Sequence, residues 1–453
     1  MPTIPSIQTL KNNTPNILNA IRNDLGGTYA DLIPMANNTS DSIRSIGQAV
    51  MSNELHQNSF LNALMNRIGM TIITSKSYTN PWAIFKRGML DFGETIEEIY
   101  VSMATPYQYD PEDAEQTLYK QYQPDVQSAF HTLNFAKQYP QTIKEEQLRQ
   151  AFLSMNGVTD LISKITQAMY TGMEYDEFIV MKFMLARIAL KGKITPINIP
   201  IINKDNMLDI VSKIKETSGN LKYMSPNYNM AHVQNQTEVG EQYIILSNNF
   251  DSKMDVQVLA SAFNIDKADF IGQRVGVDSF GIVDSDRLAI LFAKDNSYVP
   301  LTAPELSQLD AIPAMIVDKE FFMIFDNLLT MRDVPNGKGL YWNYFLHVWK
   351  TFSVSPFANA VLFTTLTPGI TSIDVTPATA TGSNGVRMVL SASVVSTGFG
   401  NNEVRWSVDS EFSTITPDGQ LTIAQDETAG TLTVTATSVF DESKLDTAII
   451  TVA

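Results

Sequence analysis

The sequence predicts an α+β chain that ends in an all-β, immunoglobulin-like sandwich. Three observations carry this: helix-patterned segments over 111–192, strand-like runs alternating with helical ones from about 195, and an abrupt change of composition at TTLTPG (364–369). The chain has 453 residues, enough for two to four domains at roughly 150 residues each. At 44% apolar and 18% charged it can bury a substantial core, which excludes wholesale disorder. With no cysteine it has no disulfide framework, thiol nucleophile or thiolate metal site, and its four histidines are scattered. Its 32 basic and 48 acidic side chains leave a formal charge of −16, a poor balance for gripping nucleic acid over a broad surface.

The start, MPTIPSIQTLKNN, has no basic segment followed by an apolar core and reads as no secretory signal. The most apolar helical stretch, FIVMKFMLARIAL (178–190), is interrupted by Lys182 and Arg187 and is too short to span a bilayer. The chain reads as soluble and made in a reducing compartment.

Residues 1–75 are polar and punctuated by helix breakers. Asp41 is placed to cap a segment carrying Ile43, Ile46, Val50 and Met51 at helical spacing, and a second holds Leu55, Phe60, Leu61, Leu64 and Ile68. The reading is an extended arm whose apolar faces need a partner surface. In NPWAIFKRGMLDFGETIEEIYVSM (80–103), apolar residues flank turn glycines at 88 and 93, which predicts a long two-stranded hairpin. A lone hairpin is marginal in water, so it lies on its own body or on a neighbour. Lys86 and Arg87, with Glu94, Glu97 and Glu98 on the return, give either a solvated hairpin or an arm that exchanges ion pairs with another copy.

Over 111–192, Thr142 with Glu145 fits a capping box before Leu148, Phe152 and Leu153. Asn156-Gly157 ends that helix, a second runs through Leu161, Ile162, Ile165, Ala168 and Met169, and a third spans about 174–190. The runs ITPINIPII, EQYIILS and RLAILFA read as strands and MLDIVSKIK and DVQVLASAF as helices, giving a compact α/β domain over about 195–310. AMIVDKEFFMIFDNL and GLYWNYFLHVWKTFSVSPFANAVLF then read as buried strands of the main body. From 370 to 452 seven short alternating runs (ITSIDV, VRMVLSASV, EVRWSV, STIT, LTI, TLTVTAT and TAIITV) have the spacing of a β-sandwich. Trp406 lies mid-strand, where an immunoglobulin fold places its core tryptophan. Residues 367–453 carry three basic against ten acidic side chains, a net −7, and read as a solvated, outward-facing appendage.

No pattern of residues reads as catalytic. YDPEDAE (109–115) departs from an EF-hand and fits a solvated helix N-terminus. SKIK (212–215) has Ser-x-x-Lys spacing without its companion elements. P-loop, dinucleotide, nucleophile-elbow and His-Glu-x-x-His motifs are missing, and His347, among Tyr344, Phe345 and Trp349, reads as a core or hydrogen-bonded histidine. No metal or cofactor is expected.

Several blocks carry a resemblance. TIEEIY (95–100), YDPEDAEQ (109–116), AFNIDKADFIG (262–272), FMIFDNL (322–328) and above all GLYWNYFLHVWKTFSVSPFANAV (339–361) resemble the major capsid proteins of small short-tailed bacteriophages, which carry a C-terminal bacterial immunoglobulin-like domain. The resemblance covers about 95–453 and implies the tailed-phage capsid fold. Its layout is an N-terminal arm (1–75), an extended loop (76–115), a peripheral domain with a spine helix (116–194), an axial domain (195–310), returning peripheral strands (311–366) and the sandwich (367–453). It implies a structural protein, not an enzyme, that forms pentamers and hexamers of an icosahedral shell around double-stranded DNA. Expected partners are further copies, a scaffolding protein, a portal and head-fibre or decoration proteins, with weak contact to packaged DNA and none to membrane. The virion is the expected location, after synthesis in a bacterial cytoplasm. Candidate inter-subunit contacts are Trp82, Phe85, Lys86, Arg87, Met89, Phe92, Glu94, Glu97 and Glu98. The block residues Tyr341, Trp342, Asn343, Tyr344, His347, Trp349, Phe357 and Asn359, with Trp406, are assigned to cores. The rival readings are a surface adhesin using the C-terminal sandwich, which tandem sandwiches or an anchor motif would favour, and, more weakly, a hydrolase. On the favoured reading the subunit is incomplete alone, since its arm and hairpin find cover only on sister copies.

Overall fold

The computed structural model describes residues 13–53, 55–61, 63, 78–90, 95–107, 119–152, 157–261 and 273–453. The amino-terminal segment forms helices α1 (Asn13–Leu25), α2 (Gly27–Leu32) and α3 (Ser40–Met51). Thr39, rather than Asp41, caps α3, its hydroxyl accepting from the Ser42 amide at 3.3 Å. The Arg22 guanidinium ties α1 to the end of α2 by donating to the carbonyls of Ala30 at 2.5 Å and Ile33 at 2.7 Å. Ile21, Ile43, Ile46, Val50, Phe60 and Leu61 are buried in one cluster with Leu148, Phe152, Trp342 and Tyr344. The described part of the arm is therefore covered by its own subunit, which corrects the expectation that it needs a neighbour. Helical spacing records an apolar face without recording what covers it. Leu64 and Ile68 lie outside the described residues.

The expected hairpin over 80–103 does not form among the described residues, whose strands pair elsewhere. Strand β1 (Lys86–Met89) pairs in parallel with Phe322–Asn336, Lys86 opposite Ile324. The true hairpin joins β2 (Ile96–Val101) to β3 (Val126–His131), antiparallel, with Ile96 opposite His131. Strand β4 (Phe135–Lys144) runs into α4 (Glu145–Ala151), and Thr142 belongs to that strand. The helix start is held instead by the Gln147 side chain, which accepts from the Lys144 amide at 3.0 Å.

The second and third expected helices are one, α5 (Gly157–Leu190), 34 residues and about 50 Å long. Gly172 in its interior lowers helix propensity without breaking the hydrogen-bond ladder. After it come β5 (Thr195–Asn198), α6 (Met207–Asn220), β6 (Gln242–Ser247), α7 (Asn248–Ser261) and β7 (Gln273–Val277). RLAILFA lies mainly in a helix, α8 (Ser285–Leu291), because the Asp284 carboxylate accepts from the Arg287 amide at 3.0 Å and caps it. Next come α9 (Ala303–Asp310), β8 (Ala314–Asp318), β9 (Phe322–Asn336), β10 (Tyr341–Val354) and β11 (Ala360–Thr364).

One sheet has the order β1-β9-β10-β4 and a second β5-β11-β8-β6-β7. The expected boundary at 310 is thus corrected: β8 and β11, every residue buried, are inner strands of the second sheet, and only β9 and β10 return to the first. Alternate residues of β10 (Trp342, Tyr344, Leu346 and Val348) are buried, while Tyr341, Asn343, His347 and Trp349 lie on its half-buried face. Phe357 and Asn359 are buried, and the Asn359 amide donates to Thr237 Oγ1 at 3.1 Å.

Residues beyond 368 form the expected all-β module, β12 (Gly369–Thr376), β13 (Thr379–Gly382), β14 (Arg387–Val389), β15 (Ser391–Thr397), β16 (Val404–Val408), β17 (Thr414–Ile415), β18 (Gln420–Thr422), β19 (Thr431–Ser438) and β20 (Leu445–Val452). Its sheets, β12-β15, β13-β20-β19-β16 and β14-β18-β17, enclose a core of Ile373, Leu390, Leu421, Leu432, Val434 and Ile450, with Trp406 half-buried at its margin. The module is not a free appendage: Phe399, in the loop between β15 and β16, is fully buried in the cluster that contains Trp82, Leu185 and Ile194 of the main body.

Candidate assembly surface

The β2–β3 hairpin has two unlike faces because consecutive side chains of a strand point to opposite sides. Its inner face is fastened to the body. Tyr100 stacks on Phe357 with ring centroids 5.7 Å apart and donates its hydroxyl to the Gln234 carbonyl at 3.0 Å. Glu98 accepts from the Ser355 hydroxyl at 2.7 Å, and its other oxygen is 3.3 Å from His131 Nε2. His131, buried, reaches Ser353 Oγ through Nδ1 at 2.7 Å. Just past the hairpin, the Asn134 side chain pairs with both backbone groups of Phe352, at 2.7 and 2.9 Å.

The outer face has no such cover among the described residues. Register places Glu97 opposite Phe130, Ile99 opposite Ser128 and Val101 opposite Val126 on that side. Ile99, Val101, Val126 and Phe130 are 58, 55, 53 and 63% exposed. Toward the tip, Tyr107 and Tyr122 pack at 4.8 Å with the Lys120 ammonium over both rings. Four large apolar side chains aligned on one face of a two-stranded ribbon make a contiguous surface of the kind that marks an interaction site.

The sequence-selected contact residues divide sharply. Trp82 and Phe85 are corrected: both are buried in the subunit's own core, Trp82 donating Nε1 to the Gly276 carbonyl at 3.1 Å and Phe85 stacked on Phe322 at 4.4 Å. Lys86 is also turned inward, to Asp326 at 2.8 Å and Glu177 at 3.1 Å. Arg87 lies 3.5 Å from Glu320 of the same chain. Met89 and Glu97 are exposed, whereas Glu98 serves the hairpin root. Phe92 and Glu94 lie outside the described residues, as do 109–115 and 262–272. Ile99, Val101, Val126 and Phe130 were not selected. The alternation in IEEIYV and VQSAFH was there to be found, but residues 102–125 separate the runs, so no tight-turn signature joins them.

Beneath β1 lies a cluster of charges that fixes the first sheet to α5. Lys350, 2% exposed, meets Asp326 at 2.5 Å and pairs with Glu177, and the Asn80 amide donates to Glu177 at 2.6 Å. Burial alone would raise the Asp326 pKa; Lys350 and Lys86 outweigh it and hold the carboxyl below the ordinary range. Burial likewise works against the Lys86 ammonium, and Asp326 with Glu177 reverses the sign and raises its pKa. Two cations and two anions so placed form a structural lock with no open substrate position. SKIK lies on α6, with Lys213 paired to Glu216 at 3.0 Å. Among the described residues no group of acidic or histidine side chains is arranged to hold a metal, and no helix is long and apolar enough to cross a membrane.

Comparison with known proteins points in one direction. A family model described as "Phi29-like phage major capsid protein" matches residues 18–364. The major capsid protein of Bacillus phage B103 is 34% identical over 432 residues, covering 93% of this chain and 89% of that protein. The major capsid protein of Bacillus phage PZA is 33% identical over 429 residues, again covering 93% and 89%. Among solved structures, a chain in the structure of the head fiber and inner core protein gp22 of native bacteriophage P68 aligns with a TM-score of 0.49. It is 17% identical, and the alignment covers 65% of this chain and 87% of that one.

Proposed function

Because the chain belongs to the Phi29-like phage major capsid protein family, we propose that it closes an icosahedral shell around double-stranded DNA as pentamers and hexamers, each copy laying the outer face of its β2–β3 hairpin across a neighbour. It is a structural component of the virion and not an enzyme. The observation that supports the docking is the exposed row of Ile99, Val101, Val126 and Phe130. These side chains are a little over half exposed, so covering them contributes about half of the 1.5–3 kcal/mol of full burial each. A row of four therefore contributes about 3–6 kcal/mol against an association cost of about 4–15 kcal/mol, and one contact alone is marginal. Closure of a ring supplies several such contacts per copy, which makes assembly cooperative and dependent on concentration.

Further partners implied by the family are a scaffolding protein, a portal and head-fibre or decoration proteins. A net charge of −16 suits a wall that confines DNA with only weak contact. The module beyond 368 is read as a bacterial immunoglobulin-like domain, on the strength of its short antiparallel strands and the tryptophan at its core margin.

The test is a double variant, Ile99→Glu with Phe130→Glu. Both side chains point away from the subunit body, so circular dichroism and melting should match the parent. Sedimentation velocity should find single subunits at concentrations where the parent forms shells in negative-stain micrographs. Normal shells from the variant would refute the docking role.

A further inference from the structure

The linker at 364–369 is not all that joins the C-terminal module to the body. Phe399 is fully buried in the main-body cluster although its backbone is left-handed, with φ +71°. A bulky residue in that region is strained, by about 1–3 kcal/mol, and persists only where its surroundings hold it. The glycines on either side permit the insertion. A Cβ at Gly398 would lie 2.4 Å from the Thr367 carbonyl oxygen, and one at Gly400 would lie 2.7 Å from that of Gly369. On the body side, just past the end of α5, a Cβ at Gly192 would lie 2.4 Å from the Gly400 carbonyl oxygen. Beside this contact Lys193 pairs with Glu403, and the Asn401 amide donates to Glu403 at 3.0 Å. At the neighbouring strand, the Asn198 side chain donates to the Leu366 carbonyl at 2.6 Å.

We infer that the module is an intramolecular clamp: its Gly398-Phe399-Gly400 loop plugs the body core and holds the C-terminal end of α5 against the five-stranded sheet. A sandwich carried only for display would need a polar linker and no residue in another domain's core. Here the interface combines a buried aromatic, a backbone approach at Gly192 that needs glycine and a charge pair. Residues 18–364, the part the family model matches, leave that core open without the plug. The inference concerns the single subunit and stands apart from the hairpin's role in assembly.

The experiment uses the full-length chain and two readouts on the unassembled subunit: melting temperature and the rate of protease cleavage in the 364–369 linker. Phe399→Ala should lower the melting temperature by several degrees and speed linker cleavage at least tenfold. Phe412→Ala, a truncation of a half-exposed phenylalanine in the same module, should change neither. A second pair of variants avoids emptying the core. Glu403→Lys and Lys193→Glu should each speed linker cleavage, and the two together should restore the parental rate. Parental linker resistance in Phe399→Ala or in both single charge reversals would overturn the clamp. If Phe399→Ala fails to fold, the charge swap decides the question by its rescue or lack of it.

Discussion

Lys350 and Glu177 are each almost completely cut off from solvent, 2% and 0% exposed, and form one charge cluster with Lys86 and Asp326. Removing Lys350 leaves two buried anions to share the one Lys86 cation, and breaking a buried pair in this way costs about 3–5 kcal/mol. We therefore expect Lys350→Ala to lower the unfolding free energy by about that amount in urea titrations, with little effect on the hairpin's outer face. Acid sensitivity follows from the same chemistry. Asp326 is held below its ordinary value of 3.8, so its stabilising contribution is complete above that value and disappears as pH falls through the lowered one. Glu427, in the C-terminal module, accepts from Ser410 and Ser413 hydroxyls and the Ala429 and Thr428 amides, and its pKa is pulled down to about 2. Its contribution is present above its ordinary 4.5 and is lost as pH falls through about 2. Asp318 works the other way: burial raises its pKa, so acidification relieves a penalty there. The melting temperature of the unassembled chain should fall from pH 4.5 to 2, and Glu427→Gln should flatten the part of that fall belonging to the module. An equally steep fall in the variant would remove Glu427 from the account. The Lys350–Glu177 pairing was not legible in the sequence, because the two residues are far apart in the chain and meet only through packing.

At the scale of elements, local pattern identified most segments and misjudged their company. The alternation over 370–452 yielded the module's strands because each has one buried and one wet face, a pattern that survives without knowledge of the partner strand. The sequence pattern divides α5 in two because Gly172 and neighbouring polar residues mimic a break, whereas the helix runs unbroken over Gly157–Leu190. The 80–103 hairpin failed because aromatic residues beside turn glycines look the same whether the chain turns back or dives into a core. Here Trp82 and Phe85 dive. Helix α3 offers a direct check on packing against propensity. Alanine is normally the better helix former than glycine, by about 1 kcal/mol. At Gly47, however, a Cβ would lie 2.7 Å from Phe152 Cβ. Overpacking of that kind costs about 1–3 kcal/mol. Gly47→Ala should therefore destabilise the subunit in denaturant titration despite its favourable propensity, and a gain in stability would show that α3 can move away from Phe152.

The whole molecule combines apolar docking surface with strong like charge. Copies bearing −16 each repel one another, and salt screens that repulsion within about 8–10 Å at moderate ionic strength. The concentration at which shells appear by light scattering should fall as sodium chloride is raised, since the hairpin contact is apolar and gains nothing from low salt. A rise would point to ion pairs as the dominant contact. At this scale the sequence was informative about kind: its blocks over 95–361 resemble a capsid family, the composition break at 364–369 marks where the last module begins, and the absence of catalytic motifs agrees with a structural role. By itself it determined the nature and order of the segments, because periodicity and composition are local properties written into neighbouring residues. Only the tertiary structure decided which limb is left uncovered and which is folded home. The described arm helices lie on their own body, β8 and β11 join the second sheet, Phe399 enters a core belonging to another part of the chain, and the β2–β3 ribbon, which the sequence did not single out, keeps an apolar face in water. The reason is that burial is a property of pairs of surfaces. A segment's own residues state how much of it is apolar, while the surface that meets it is supplied by residues hundreds of positions away.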